Sequence, residues 1–386
     1  VPTWIIEPHD PLIVRDGRPF GPDPGVRAVS LAFPLPSTTT GAARTCAGLN
    51  AQGQFDPQRI AAVKQLAVRG PLLVELDENE DVAWYAPAPS DALMLASEKQ
   101  DDTLAIRRLV PLALPTGATT DLEASYSLVG RRQREKAKVS GQAPQFWHWN
   151  RFEQWLVAPQ DDDALRASDL GLAGLLRDSR MHVQINAQRQ TAKQGALFQT
   201  VGLSFTTRDR RRLALLVEVA QPFPHFAGGM DSLAGERRLV TWRQSAVQLP
   251  TCPAELREAI IRDGACRVVL LTPAIFRAGF RPERLLRPAY GVAPRLVAAA
   301  VARTQVVSGW DLQVQKPKPT RRMAPAGSVY FLMLEGSPSA RAAWLDAHWM
   351  AVVSDDEQDA RDGFGLMALG VWDGALQAMG EDDARS

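Results

Sequence analysis

GFGLMALGVW, residues 363–372, joins two closely spaced glycines to an almost unbroken apolar run. That pattern reads as a glycine-bearing loop feeding a final strand. The same grammar occurs once before, in GGMDSLAGERRLVTW at 228–242. Two loop-to-strand endings, one in each half of the chain, predict two related α+β units.

Working back from residue 363, positions 339–352 read as a helix and PAGSVYFLML (325–334) as a strand. The β-branched run 295–307 predicts another strand, and Arg267 to Thr272 a third. A helix over 254–263 places Leu256, Ile260 and Ile261 together and stops at Gly264. Residues 244–253, with Pro250 and Pro253, form the linker between the units.

The first half opens with a strand, Trp4-Ile5-Ile6-Glu7, and a Gly, Pro and Asp-rich loop over 16–25. In FPLPSTTTGAARTCAGL (33–49), Pro34 and Pro36 hold the chain extended. Ser37 or Thr38 caps a helix running from Gly41 to Leu49. Short strands follow at 72–76 and 82–85, then a proline-rich insertion with local helices over about 86–175. From Met181, HVQINAQ and ALFQTVGLSF read as a hairpin joined by the loop TAKQG, before a strand at Leu213 to Val219. The expected division is therefore 1–250, including the insertion, and 251–386.

The 386 residues carry 44 basic and 43 acidic side chains, a net charge of +1, with 45% hydrophobic and 23% charged residues. That is globular composition, and it argues against a polybasic protein that coats nucleic acid indiscriminately. Seven of the basic residues are lysine and 37 arginine, the side chain that reads phosphate geometry rather than supplying charge alone. No apolar run approaches the roughly 18–20 residues of a membrane span. The start, Val1-Pro2-Thr3-Trp4, lacks a secretory pattern, and Cys46, Cys252 and Cys266 are too widely spaced for a zinc knuckle. They read as small buried residues in a reducing, cytoplasmic setting.

Several clusters suit phosphate. Gly363 and Gly365, flanking Phe364, let backbone N–H groups approach an anion, as does Gly235 beside Arg237 and Arg238. Ser37, Thr38, Thr39 and Thr40 stand at a helix N-terminus, with Arg44 further along it and Arg15 and Arg18 on the preceding loop. Three basic runs stand out: RRQREKAK (131–138), RDRRR (208–212) and KPKPTRR (316–322). In the last, prolines keep Lys316, Lys318, Arg321 and Arg322 on an extended arm suited to a single-stranded backbone. The aromatic string Phe146-Trp147-His148-Trp149 with Trp155 reads as core or interface. His182 lacks a local catalytic partner, and Met230 stands where GGMD would need a second metal-binding acid.

Six strings, in this order, carry a resemblance: EPHDPLIVRDGRPF (7–20), FPLPSTTTGAARTCAGL, MHVQINAQRQTAKQGALF (181–198), LAGERRLVTW (233–242), SGWDLQVQKPKPTRRMAPAGSVYF (308–331) and RDGFGLMALGVW (361–372). The sequence resembles the RAMP superfamily of CRISPR effector proteins, and within it the third Cmr subunit type of type III-B complexes. The resemblance implies two ferredoxin-like (RRM-like) domains, with a long insertion in the first. It also implies a non-catalytic role without cofactor or metal, contact with the 5′ handle of a guide RNA (crRNA), and docking to a large polymerase-like subunit and an adjacent backbone RAMP subunit. The handle would be held by Arg15, Arg18, Ser37–Thr40, Arg44, Lys193, the loop 235–238, the arm 316–322 and the loop 363–365. Two rival readings stand beside it: a metal-independent guide-processing endoribonuclease using His182 with Lys193, and a scaffold that meets only protein.

Overall fold

The computed structural model describes residues 1–15, 27–28, 30–97, 102–123, 125–133, 135–186, 188–311, 316–317 and 319–379. In chain order the elements used below are β1 (Thr3–Pro8), α1 (Pro36–Ala47), β2 (Val68–Leu76), β3 (Val82–Pro87), β4 (Phe146–His148) and α2 (Trp149–Val157). There follow β5 (Gly171–Leu172), β6 (Leu176–Asn186), β7 (Thr191–Ser204), β8 (Arg212–Val219), β9 (Gly229–Leu233) and β10 (Arg238–Ser245). The second half holds α3 (Ala254–Asp263), β11 (Ala265–Leu270), β12 (Ala293–Ala300), β13 (Gln305–Val307), β14 (Arg321–Met323), β15 (Val329–Glu335), α4 (Pro338–His348) and β16 (Met367–Val371). No helix among the described residues is long and apolar enough to cross a membrane.

Two antiparallel sheets organise the chain. The first runs β5-β4-β3-β2-β8-β1-β10-β9 and the second β12-β15-β11-β16. Four adjacent strands of the first, β2-β8-β1-β10, have the same order as the whole second sheet: second, third, first, fourth along the chain. The crossovers are complementary. In the first unit α1 fills the β1-to-β2 connection and the hairpin strand β9 replaces a second helix. In the second unit α4 fills the β15-to-β16 connection, while turns and bridges occupy 271–292. Helix α3 precedes β11 and packs beside α4.

Burial follows position. β8, RLALLVEV, lies between β2 and β1 and is buried from Leu213 to Val219, as an inner strand covered on both faces must be. α1 sets Ala43, Cys46 and Ala47 against Trp4, Leu73, Leu215 and Trp242. α3 ends where expected, at Gly264 in the left-handed conformation (φ 62°).

Some expectations shift. TAKQG is not a hairpin loop: it lies in β7, and the turn includes residues 188–190. The run 295–307 splits, with β12 in the second sheet and β13 pairing with β14. α1 begins at Pro36, and neither Ser37 nor Thr38 caps it; the N-cap is Leu35 without a side-chain bond. The segment between β2 and β8 spans 77–211, longer than the expected insertion, and it returns β3, β4 and β5 to the edge of the first sheet. Cys46 and Cys266 are buried free thiols whose titration burial pushes up, whereas Cys252 is only half-buried, pushed up to about 11.

Helix α2, from that inserted segment, packs on the second sheet. Phe152, Trp155 and Leu156 join Leu256, Ile260, Val268, Phe331 and Leu369 in one core. At its centre the fully buried Arg267 of β11 pairs with the fully buried Asp91. Arg267 also donates from Nε to Val371 O (2.9 Å) and from Nη2 to Trp155 O (2.6 Å), while Trp155 Nε1 donates to Asp91 at 2.9 Å. Removing one member leaves an unpaired buried charge. Arg267→Ala is expected to cost about 3–5 kcal/mol in urea unfolding. Arg267→Met combined with Asp91→Leu should recover most of that loss; an Arg267→Ala protein as stable as the parent would refute the anchoring role.

Candidate nucleic-acid interface

A groove of about 350 Å³ opens where the two units meet, and Arg15, Ser37, Thr38, Gly235, Arg321 and Phe364 line it. Its walls come from chain segments hundreds of residues apart. The 12–15 segment is held on both sides: Gly235 N donates to Ile13 O (2.9 Å) and Leu31 N to Val14 O (2.8 Å). Gly235 is a requirement of this approach, since a Cβ there would lie 2.9 Å from Ile13 O. Ala234, Glu236 and Arg237 around it all have positive φ, so the loop turns tightly. Ser37 is exposed in the first turn of α1, where backbone N–H groups are not all used within the helix.

The charges in and around the groove are partly matched. Arg321 pairs with Asp359 at 2.5 Å, Arg238 with Glu236 at 2.7 Å, and Arg44 with Asp362 at 2.6 Å. Burial pushes the Asp359 carboxyl upward, against the pull of Arg321. Arg15 and Arg237 are exposed, as are Lys316 and Arg322 on the arm.

Six expected contacts serve packing or bracing instead. Thr39 and Thr40 are fully buried; their hydroxyls donate to Pro36 O (3.1 Å) and Asp362 O (2.7 Å). Phe364 is buried with Leu35, Val307 and Met323, although it closes the groove from below. Gly363 has φ 92°, and a Cβ on it would meet Gly70 O at 2.7 Å and Val68 O at 2.9 Å. A Cβ on Gly365 (φ 88°) would meet Ser354 N at 2.8 Å. Gly363 is needed where the loop docks against β2, and Gly365 where it passes Ser354. Arg44, too, is a strut: it pairs with Asp362 and donates to Leu66 O at 3.0 Å.

Lys193 is exposed on β7 and lines no part of the groove. His182, on β6, bonds through Nε2 to Thr200 Oγ1 (2.9 Å) and stacks on Phe198. Asp231 is near the Cys46 thiol (3.6 Å), and Met230 is exposed. Trp147 and Trp155 are buried. Arg18 and Lys318 lie outside the described residues. Sequence reasoning missed Asp359 and Asp362 as partners of the arginines; the acidic run 355–362 was the available signal.

The sequence matches the family described as CRISPR-associated protein (Cas_Cmr3) over residues 4–372. The chain belongs to this family. No curated protein matches it. Among solved structures, it is similar to a chain of the type III-B Cmr-beta complex bound to cognate target RNA and AMPPnP (14% identity, TM-score 0.48, covering 85% of this chain and 86% of that one). It is similar to a chain of the same complex with cognate target RNA (14%, TM-score 0.47, 85% and 86%). A chain of the Csm3-Csm4 subcomplex of a type III-A interference complex gives 8% identity and TM-score 0.32 over 87% and 94%.

Because Gly363 is both left-handed and wedged under β2, Gly363→Ala is expected to destabilise the protein by about 1–3 kcal/mol. A urea melt reads this directly. An unchanged midpoint would return the loop to the role of an open anion contact.

Proposed function

We propose that this Cas_Cmr3-family chain is a non-catalytic guide-RNA-holding subunit of a type III-B CRISPR ribonucleoprotein, gripping the 5′ handle in the groove between its units. It would join the large polymerase-like subunit to the adjacent backbone RAMP subunit, in the cytoplasm. The observation that carries the reading is convergence: Arg15, Ser37, Thr38, Gly235 and Arg321, far apart in sequence, line one groove at the seam. Arginine and hydroxyl side chains are groups that position a phosphate chain, while Gly235, whose N–H donates to Ile13 O, shapes the wall beside them. We further propose that both units, about 1–250 and 251–386, are ferredoxin-like, which the shared order of four adjacent strands supports.

The non-catalytic reading draws on His182. A metal-independent cleavage site needs a base, an acid and a charge stabiliser aimed at one phosphate. His182 instead bonds Thr200 and lies flat on Phe198. Incubating the protein with repeat RNA in chelator tests this: wild type and His182→Ala should both leave it intact, and cleavage lost in His182→Ala would establish the nuclease.

Handle binding is best measured in the assembled complex by fluorescence anisotropy. With four to six phosphates held, log affinity should fall with log salt at a slope of about −3 to −4. Arg15→Ala with Arg237→Ala should flatten that slope by about 1 to 2 and weaken binding. A flat salt response, unaltered by the double substitution, would leave the pure scaffold as the answer.

A further inference from the structure

A second cavity, of about 390 Å³, shares no lining residue with the groove. Arg108 ends the strand Thr103–Arg108, and Arg131 and Arg132 directly follow the strand Leu128–Gly130. All three line this cavity, with Gln133, Gln160 and Asp161. Asp161 is the acid among its described lining residues, and it is half-exposed. It takes a hydrogen bond from Arg131 Nη1 (2.7 Å) and another from the Arg108 backbone N–H (2.7 Å).

Three arginines and one carboxylate therefore line the same cavity. Glu135 approaches Arg131 from outside at 3.8 Å, but its closer partner is Arg107, at 3.0 Å. The guanidiniums of Arg108 and Arg132 enter no ion pair among the described residues. Nε of Arg108 and Nε of Arg131 are both buried without a hydrogen-bond partner. Burial, and then the positive charge of Arg267, pushes the Arg108 pKa down, while Asp91, Asp373 and Asp161 oppose the shift. A partly dehydrated, undercompensated cation gains more from an arriving anion than a solvated one does. The basic run 131–138 contributes two arginines, Arg131 and Arg132, to this concavity.

We propose that this cavity is a phosphate-binding site, separate from the handle groove, in which Arg108, Arg131 and Arg132 clamp a phosphoryl group. Planar guanidinium forks suit tetrahedral oxyanions, and the neutral amides of Gln133 and Gln160 add donors without adding charge. The phosphoryl group belongs either to an RNA backbone or to a free nucleotide, and one set of titrations separates the two.

The full-length protein is titrated calorimetrically with sodium pyrophosphate, ATP and a ten-residue oligouridylate. The variants are Arg132→Glu, at an exposed position, and Arg108→Gln, with thermal melts confirming the fold. Pyrophosphate should bind wild type and lose about tenfold or more in Arg132→Glu, with the melting temperature unchanged. The groove variant Arg15→Ala with Arg237→Ala should keep its pyrophosphate affinity, so failure of the handle reading would leave this result standing. If RNA is the source, pyrophosphate competes with the oligouridylate and Arg132→Glu weakens both. If a nucleotide is the source, ATP follows pyrophosphate and the oligouridylate is unaffected. Equal pyrophosphate binding by wild type and Arg132→Glu overturns the proposal. So does tighter, Arg132-dependent binding of a hexa-aspartate peptide, which would make the cavity a protein contact.

Discussion

The buried pair between Arg267 and Asp91 fixes how the inserted segment sits on the second unit. Removing both charges from water is unfavourable unless the guanidinium finds acceptors around its whole edge. Here it does: Asp91, the carbonyls of Trp155 and Leu156, and Val371 O accept from its three nitrogens. Room for the side chain comes from Gly370, which pairs with Arg267 across β11 and β16; a Cβ there would lie 3.0 Å from Nη2. Two of the carbonyls belong to the end of α2, so the helix is bolted by its backbone as well as by its apolar face. A segment that leaves the first sheet after β3 is thereby tied to the centre of the second sheet before the chain returns to β8.

That tie has a counterpart at the seam. The loop 362–365 reaches from the second unit under β2 and α1, with Thr40 and Arg44 holding Asp362 and Thr272 holding the Gly363 carbonyl. Thr272 Oγ1 also receives the N–H groups of Gly365 and Leu366 at 3.1 and 2.8 Å. The groove lies directly above this seam, between α1, the 234–235 turn and the 319–321 segment. Its width is set by contacts on both sides of the interface, so the groups that would meet phosphate ride on a braced frame rather than on free loops.

The parts of this arrangement written locally were legible. The spacing of Leu256 and Ile260 with Gly264 marked α3, because the periodicity and stop signal act within a few residues. The strands VYFLML and LALLV were visible as apolar runs. What escaped depends on approach from distant chain. Nothing around Gly363 indicates that Gly70, almost three hundred positions earlier, will stand 2.7 Å from where its Cβ would go. Arg267 lies in the run CRVVLL with no local partner, since Asp91 arrives from the inserted segment. The hairpin turn was misplaced because Thr191 to Gly195, glycine-bearing and largely polar, looks like a loop until Thr191 and Ala192 pair with Asn186 and Ile185 of β6.

The same distinction sorts the charges. A net charge of +1 would be a poor basis for a freely diffusing RNA binder, which relies on its global field. Here many arginines are consumed internally: Arg44 braces α1, Arg238 closes its own loop, and Arg267 bolts the insertion. Arg15 and Arg321 line the concavity at the seam, and Arg108, Arg131 and Arg132 line the one over the strand ending at Arg108. Even at the seam, Arg321 is shared with Asp359, a carboxylate whose burial already disfavours its charged form. A phosphate taking Arg321 would have to leave that acid unmatched. Geometry, rather than the number of basic residues, selects which arginines can serve a ligand.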